Sequence, residues 1–403
     1  MATAPQNITL GELAQAAIAK YLQHTVAYKK PVLTDADPEN LHQMRVGLRR
    51  LRTAVQVFDA GLDLPKAGRE PTIAALGRKL GQLRDLDVIA MGLRDRYAPD
   101  LPETEQPYLD VVLLQLAKQR GKTFKQVKRL LKGDRYQKFK QALTTWVDKP
   151  TYKAIAALPA EQALPDLVLP LVSQLWLHPG WLFGTKAMDN KAKSPKSGSP
   201  KSGSPKAAPS GIQVQTRLSQ AAVDTLISEQ GAVLHSLRKQ VKRVRYQLRL
   251  VADLYPGALE GDIQRLSDLQ DTLGDLQDST VLEDFIAVVV PDAKAQMPQL
   301  FALLADRRHC AWKQWQSHQK HYLDAAQRQR LRLVLLHPGQ PLGEALEVKQ
   351  SLTKDRDKET IGNKHGSVAP QSRRRSTARE KSSSSKTTPR HAKPAPEDNS
   401  KAG

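Results

Sequence analysis

One pattern occurs twice in this chain. His42, Arg45, Arg49 and Arg52 recur at intervals of 3, 4 and 3 residues, and His235, Arg238, Lys242, Arg245 and Arg249 repeat the series with one further step, offset by 193 residues. Those intervals place each set on a single face of an α-helix. Beside each row runs an apolar line at the same spacing: Leu41, Met44, Leu48, Leu51, Val55 and Phe58, then Leu234, Leu237, Val241, Val244, Leu248 and Val251. A helix that docks through its apolar line holds the cations at the edge of that contact. Like charges one turn apart repel each other, so such a row calls for an anion laid along it. A solvated charged face is the ordinary alternative. The lack of interleaved carboxylates and the recurrence of the row speak against it.

The repeat extends beyond the rows. Leu13 to Ile18 answers Leu218 to Val223, and Leu80-Gly81-Gln82-Leu83-Arg84-Asp85 answers Leu273-Gly274-Asp275-Leu276-Gln277-Asp278 at the same 193-residue offset. Each copy closes on Leu-His-Pro-Gly, at 177–180 and 336–339. Matched landmarks in one order indicate an internal duplication. In both copies a leading helix is expected before the cationic row, reached by a loop about twelve residues longer in the first.

Nearly every segment has helical period. Thr9 with Glu12 forms a capping box, and Asp37-Pro38 supplies a cap and a first-turn proline ahead of the first row. Val288-Val289-Val290 before Pro291 is the one strand candidate, and it reads better as a helix end. The expected fold is all-α: two antiparallel four-helix bundles related by a pseudo-twofold, over residues 8–186 and 212–344. A linker rich in Lys, Ser, Pro and Gly (187–211) and a basic tail (345–403, with Arg373 to Arg375) hold little to bury and are expected to be disordered.

The formal charge of +21 favours a polyanionic partner: nucleic acid, an anionic membrane or polyphosphate. The lone Cys310 excludes an internal disulfide. No apolar run of about 18 residues and no secretory signal are found, so a soluble cytoplasmic protein is expected.

Other cations are candidates too. Lys118, Lys122, Lys125, Arg129 and Lys132 follow intervals of 4, 3, 4 and 3, as a second phosphate-binding surface or a solvated outer face. Arg120 lies on the line of Leu113, Phe124, Val127 and Leu131, and Arg308 stands in the same relation to Trp312 and Trp315. A guanidinium facing inward requires a buried carboxylate or a ligand phosphate. His42 and His235 open the rows and would grip phosphate more strongly as pH falls. His178 and His337, each before Pro-Gly, read as structural.

Asp85 and Asp278 are expected to orient an arginine of the rows, and the glycine before each points to close helix approach. Asp87 is matched by Thr280, so a duplicated carboxylate metal site is not supported. Phosphate-loop and zinc-hydrolase motifs are missing. The residues therefore indicate a binder with no cofactor, metal or catalytic group. Nucleic-acid binding is the alternative, although the row helices offer only Phe58 and Tyr246 for base stacking. A phosphohydrolase using His42 or His235 ranks third.

At these residues the chain resembles the CHAD family, the conserved histidine α-helical domain. The likeness rests on His42-x-x-Arg45-x-x-x-Arg49-Arg50-x-Arg52 and on His235-x-x-Arg238-x-x-x-Lys242-Arg243-x-Arg245-Tyr246. It extends to Leu80-Gly81-x-x-Arg84-Asp85-x-Asp87-Val88, to Leu269-Gln270-Asp271-x-Leu273-Gly274-x-x-x-Asp278, and to Arg120 with Arg135-Tyr136, over roughly residues 8–338. The resemblance implies two four-helix bundles around a basic channel that binds inorganic polyphosphate, often beside a triphosphate-tunnel domain. No tunnel domain is evident, so a stand-alone member is expected; association with polyphosphate granules would fit. Two departures stand out: Lys242 where the first copy has Arg49, and Gln277 where it has Arg84.

Overall fold

The first helix, α1 (Leu10–Ala27), opens on the expected capping box: the Thr9 hydroxyl accepts from the Glu12 amide, and the Glu12 carboxylate accepts from the Thr9 amide at 2.9 Å. A short helix, α2 (Lys29–Thr34), ends at Asp35, whose backbone is left-handed (φ 56°). Asp37 then caps α3 (Pro38–Val57) by accepting from the Glu39 amide at 2.8 Å. Helix α3 carries the first cationic row. It is followed by α4 (Glu70–Gly92), α5 (Gln106–Lys132) and α6 (Asp134–Asp148). The computed structural model describes residues 8–187, 212–214 and 218–339. The remainder of the 187–211 linker and the 345–403 tail, with Arg373 to Arg375, lie outside the described residues.

Neighbouring helices close a circuit: α1 on α3, α3 on α4, α4 on α5, and α6, beyond a break at Gly133, back on α1. The second half repeats it with α7 (Ala160–Trp176), α8 (Gln220–Val251), α9 (Glu260–Val289), the short α10 (Ala293–Gln296), α11 (Pro298–Leu323) and α12 (Ala325–Leu336). Each half is thus an antiparallel four-helix bundle whose last helix is broken in two. Helix α9 runs through Val289, so the valine run is a helix end. A short antiparallel pair, Thr185–Ala187 with Ile212–Val214, is the one sheet among the described residues.

The structure corrects the repeat boundary expected at residue 186. Helix α7 stands to α8 as α1 stands to α3. Gln240 and Gln247 of α8 donate to the carbonyls of Leu171 and Leu167 in α7, at 3.2 and 2.8 Å. The expected separate leading helix of the second copy is not formed, because α8 runs unbroken into the second row. The reason is local: Pro31, Asp35 and Asp37-Pro38 turn the chain between α1 and α3, whereas residues 220–251 contain no proline and only Gly231.

Both apolar lines are fully buried in one core that spans the two halves, with α3 packed directly on α8. Each buried Leu or Val side chain in it contributes roughly 1.5–3 kcal/mol. A second cluster joins the far helix tips, including Leu93, Leu109, Ile286, Met297 and Leu304. There the buried carboxylate of Glu105 accepts from the amides of Gln299 and Leu300 at 2.7 and 3.1 Å, capping α11 from the opposite half. The halves are joined at two places, which fixes how the rows on α3 and α8 meet.

Candidate functional site

Where α3 crosses α8, the two rows face each other. A cavity of about 630 Å³ opens there, walled by α3, α4 and α8. Arg45, Arg49 and Arg52 line it from α3, Arg78 from α4, and Lys239, Lys242 and Arg243 with His235 from α8. Asp85 is the one carboxylate among these lining residues. The α4 wall is built of Ile73, Ala74, Gly77 and Gly81, small or apolar residues that leave the space open.

Lys242 sits at the centre. Burial, then Arg49, Arg45 and Arg238, push its ammonium down to about 7, with Asp85 opposing. A lysine from one row thus feels arginines of both, which requires the rows to converge. Tyr246 stands beside it. Its hydroxyl accepts from Arg49 Nη1 at 2.5 Å and from Arg245 Nη2 at 3.3 Å, and both guanidinium groups lie 5.0 Å from its ring centroid. No carboxylate lies within ion-pair distance of Arg49, Arg78, Lys239, Lys242 or Arg243 among the described residues.

Arg45 pairs with Asp85 at 3.3 Å, and Arg238 with Asp278 at 2.9 Å. The glycines have a more specific part than helix approach in general. Each arginine lies across Gly81 or Gly274 to reach the aspartate one turn further on; an added Cβ would stand 3.4 Å from Arg45 Nη2 and 2.7 Å from Arg238 Nη2. Gly274→Ala is therefore expected to lift Arg238 off Asp278. The coupling between those two residues, about 0.2–1 kcal/mol for an exposed pair, is expected to vanish from a double-mutant cycle made in the alanine background.

His42 opens the row but is not among the residues that line the cavity. Burial lowers its pKa, Glu39 opposes, and Arg84, Arg49 and Arg45 lower it further. His235 lines the cavity and shares a 3.0 Å hydrogen bond with Gln277, the residue that replaces Arg84 in the second copy. Arg52 is partly engaged by Glu70 at 2.6 Å, and Arg245 donates to Ser267 at 2.7 Å. Arg249 departs from the cavity and lines a separate one of about 350 Å³ with Lys20, Arg50 and Asp253.

Besides Arg249, five more expected contacts fall elsewhere, and His42, Arg238 and Arg245 are not among the residues that line the cavity. Arg120 is held by Asp35 through two bonds of 2.7 and 2.6 Å and by buried Asp87 at 2.6 Å. Those hydrogen bonds, Asp35 first, raise its pKa against the opposing effect of burial. Arg308, 5 % exposed, is held by Asp224 and Glu283, each at 2.7 Å. Both inward guanidinium groups took the carboxylate option and serve as pins between helices. Lys122, Lys125 and Arg129 lie exposed on the outer face of α5, away from the cavity.

Sequence periodicity missed Arg78, Lys239 and Arg243. Lys239 and Arg243 follow Arg238 and Lys242 by one position, and only the packing of α8 on α3 brings them to the cavity. Arg78 precedes the Leu80-Gly81 motif by less than a turn, a signal that was available.

Among the described residues no helix is long and apolar enough to cross a membrane, and no group of three or more His, Cys, Asp or Glu side chains is arranged to hold a metal ion. The family model of the CHAD domain matches residues 16–287. The crystal structure of the CHAD domain from the plant Ricinus communis aligns with 83 % of this chain and 94 % of its own, at 20 % identity and a TM-score of 0.47. PptA from Streptomyces chartreusis aligns over 78 % of this chain and 99 % of its own, at 14 % identity and a TM-score of 0.54, which is a likeness of fold. No curated protein matches the chain.

Proposed function

Because the chain belongs to the CHAD domain family, we propose that its cavity binds inorganic polyphosphate and does so without catalysis. One observation carries the reading: seven Arg and Lys side chains line a single cavity against one carboxylate, and five of them have no carboxylate partner among the described residues. A lysine pushed down to about 7 by burial and then by three neighbouring arginines is costly to hold charged without an anion. Arginine forks suit phosphate oxygens, which they engage in pairs and at any cellular pH. A polymer of evenly repeated charge, with no bases to be read, matches a cavity whose one lining aromatic, Tyr246, is already flanked by two arginines.

Fluorescence anisotropy with labelled polyphosphate tests this. Arg49→Ala is expected to weaken binding about 10- to 100-fold, the loss of one charged hydrogen bond of roughly 1.5–3 kcal/mol. Lys125→Ala, on the outer face of α5, is expected to bind like the parent. Affinity should fall steeply with added salt, by counterion release. Single-stranded DNA displacing polyphosphate at equal phosphate concentration would overturn the choice of ligand. Phosphate release in the presence of Mg²⁺ would overturn the non-catalytic reading.

A further inference from the structure

The two halves repeat each other, yet the walls facing the two rows do not carry the same charge. On the first side α4 presents Ala74, Ala75, Arg78 and Gln82. At the 193-residue offset α9 presents Ser267, Asp268, Asp271 and Asp275. Asp268 and Asp271 thus replace Ala75 and Arg78, while Asp275, in place of Gln82, is neutralised by Arg307 of α11 at 2.6 Å. Asp271 faces the second row: on α9 it lies one turn beyond Ser267, which accepts from Arg245 at 2.7 Å, and one turn before Gly274, across which Arg238 lies. Arg245 is further occupied by Ser267 and by the Tyr246 hydroxyl and ring. Tyr246 itself stands where the first copy has the smaller Thr53. On α8, Lys239 lines the cavity, whereas its counterpart on α3 is Val46.

We propose that the polyanion is held on one side only, in the cavity that α4 closes, with Arg78, Lys239 and Arg243 among its contacts. Asp271 of α9, where α4 has Arg78, excludes it from the pseudo-equivalent face. This rests on the polyphosphate reading and adds to it a direction: the duplicated fold carries one working groove and one that repels the ligand. Like charges brought beside a polyanion oppose binding, so the asymmetry decides the path.

Charge exchange between the two walls tests the proposal, using the full chain and sodium polyphosphate as the probe. Arg78→Asp, which places on α4 what α9 carries at the matched position, is expected to weaken binding about tenfold or more. Asp271→Asn is expected to bind at least as tightly as the parent. Both positions are exposed, and unchanged melting curves would show that the variants fold. Arg78→Gln, with a smaller loss than Arg78→Asp, gives the graded control. Arg78→Asp binding like the parent, or Asp271→Asn losing as much as Arg78→Asp, overturns one-sided binding. A parent chain that takes up no polyphosphate overturns the underlying reading instead.

Discussion

Arg308→Ala is expected to destabilise the protein by about 3 kcal/mol or more, the cost of removing one partner from a buried charge cluster. Arg308 is 5 % exposed and satisfies Asp224 at the start of α8, Glu283 on α9 and Ser279 at 3.3 Å. Its removal leaves two carboxylates facing each other without a cation. Thermal melting should register a drop of several degrees, at the few degrees per kcal/mol expected for a domain of this size. Polyphosphate affinity, measured well below the melting transition, should stay near that of the parent, because Arg308 lies outside the cavity. A variant that melts like the parent but no longer binds would return Arg308 to the ligand site and contradict the structure. Arg120→Ala is expected to behave alike, through Asp35 and Asp87.

Lys242→Met should have the opposite effect on stability. The ammonium of Lys242 is held at about 7 by burial first and then by Arg49, Arg45 and Arg238, well below the roughly 10.4 of a lysine in the unfolded chain. The folded state therefore disfavours the charge. That penalty is fully present below pH 7 and is relieved as pH rises from there toward the unfolded value. An apolar side chain of similar length removes it. The gain is on the order of 1–3 kcal/mol below pH 7, after allowing for partial solvent access, and shrinks toward pH 10. Melting curves across that range would reveal it, and a methionine variant less stable than the parent at pH 6 would refute it. Binding should respond inversely. Polyphosphate beside Lys242 favours the ammonium, so the parent takes up a proton on binding above pH 7 and its affinity falls as pH rises. Lys242→Met should bind more weakly at pH 6 and lose that part of the pH dependence.

The apolar lines of α3 and α8 were legible because helical period is a local property; every residue named in them is buried. Asp85 and Asp278 were legible for the same reason, since each follows its glycine by one turn. Arg120 illustrates where that reasoning ends. Its inward direction followed from its neighbours, but its partner did not, because Asp35 is 85 residues away and is brought to it by the turn after α2. Lys122, Lys125 and Arg129 show the reverse case: a regular row of cations that turns to solvent. Helix α7 was assigned to the wrong half because the repeat was anchored on Leu218 to Val223, a segment that is simply the start of a longer helix.

The sequence by itself determined the helices, the buried line on each, the duplication and the two cationic rows, since all of these depend on spacing within one helix. Only the tertiary structure decided which cations share a cavity and which are neutralised by carboxylates. A charge is read through its nearest counter-charges, and those come from helices far apart in the chain whose rotation about their axes is set by core packing.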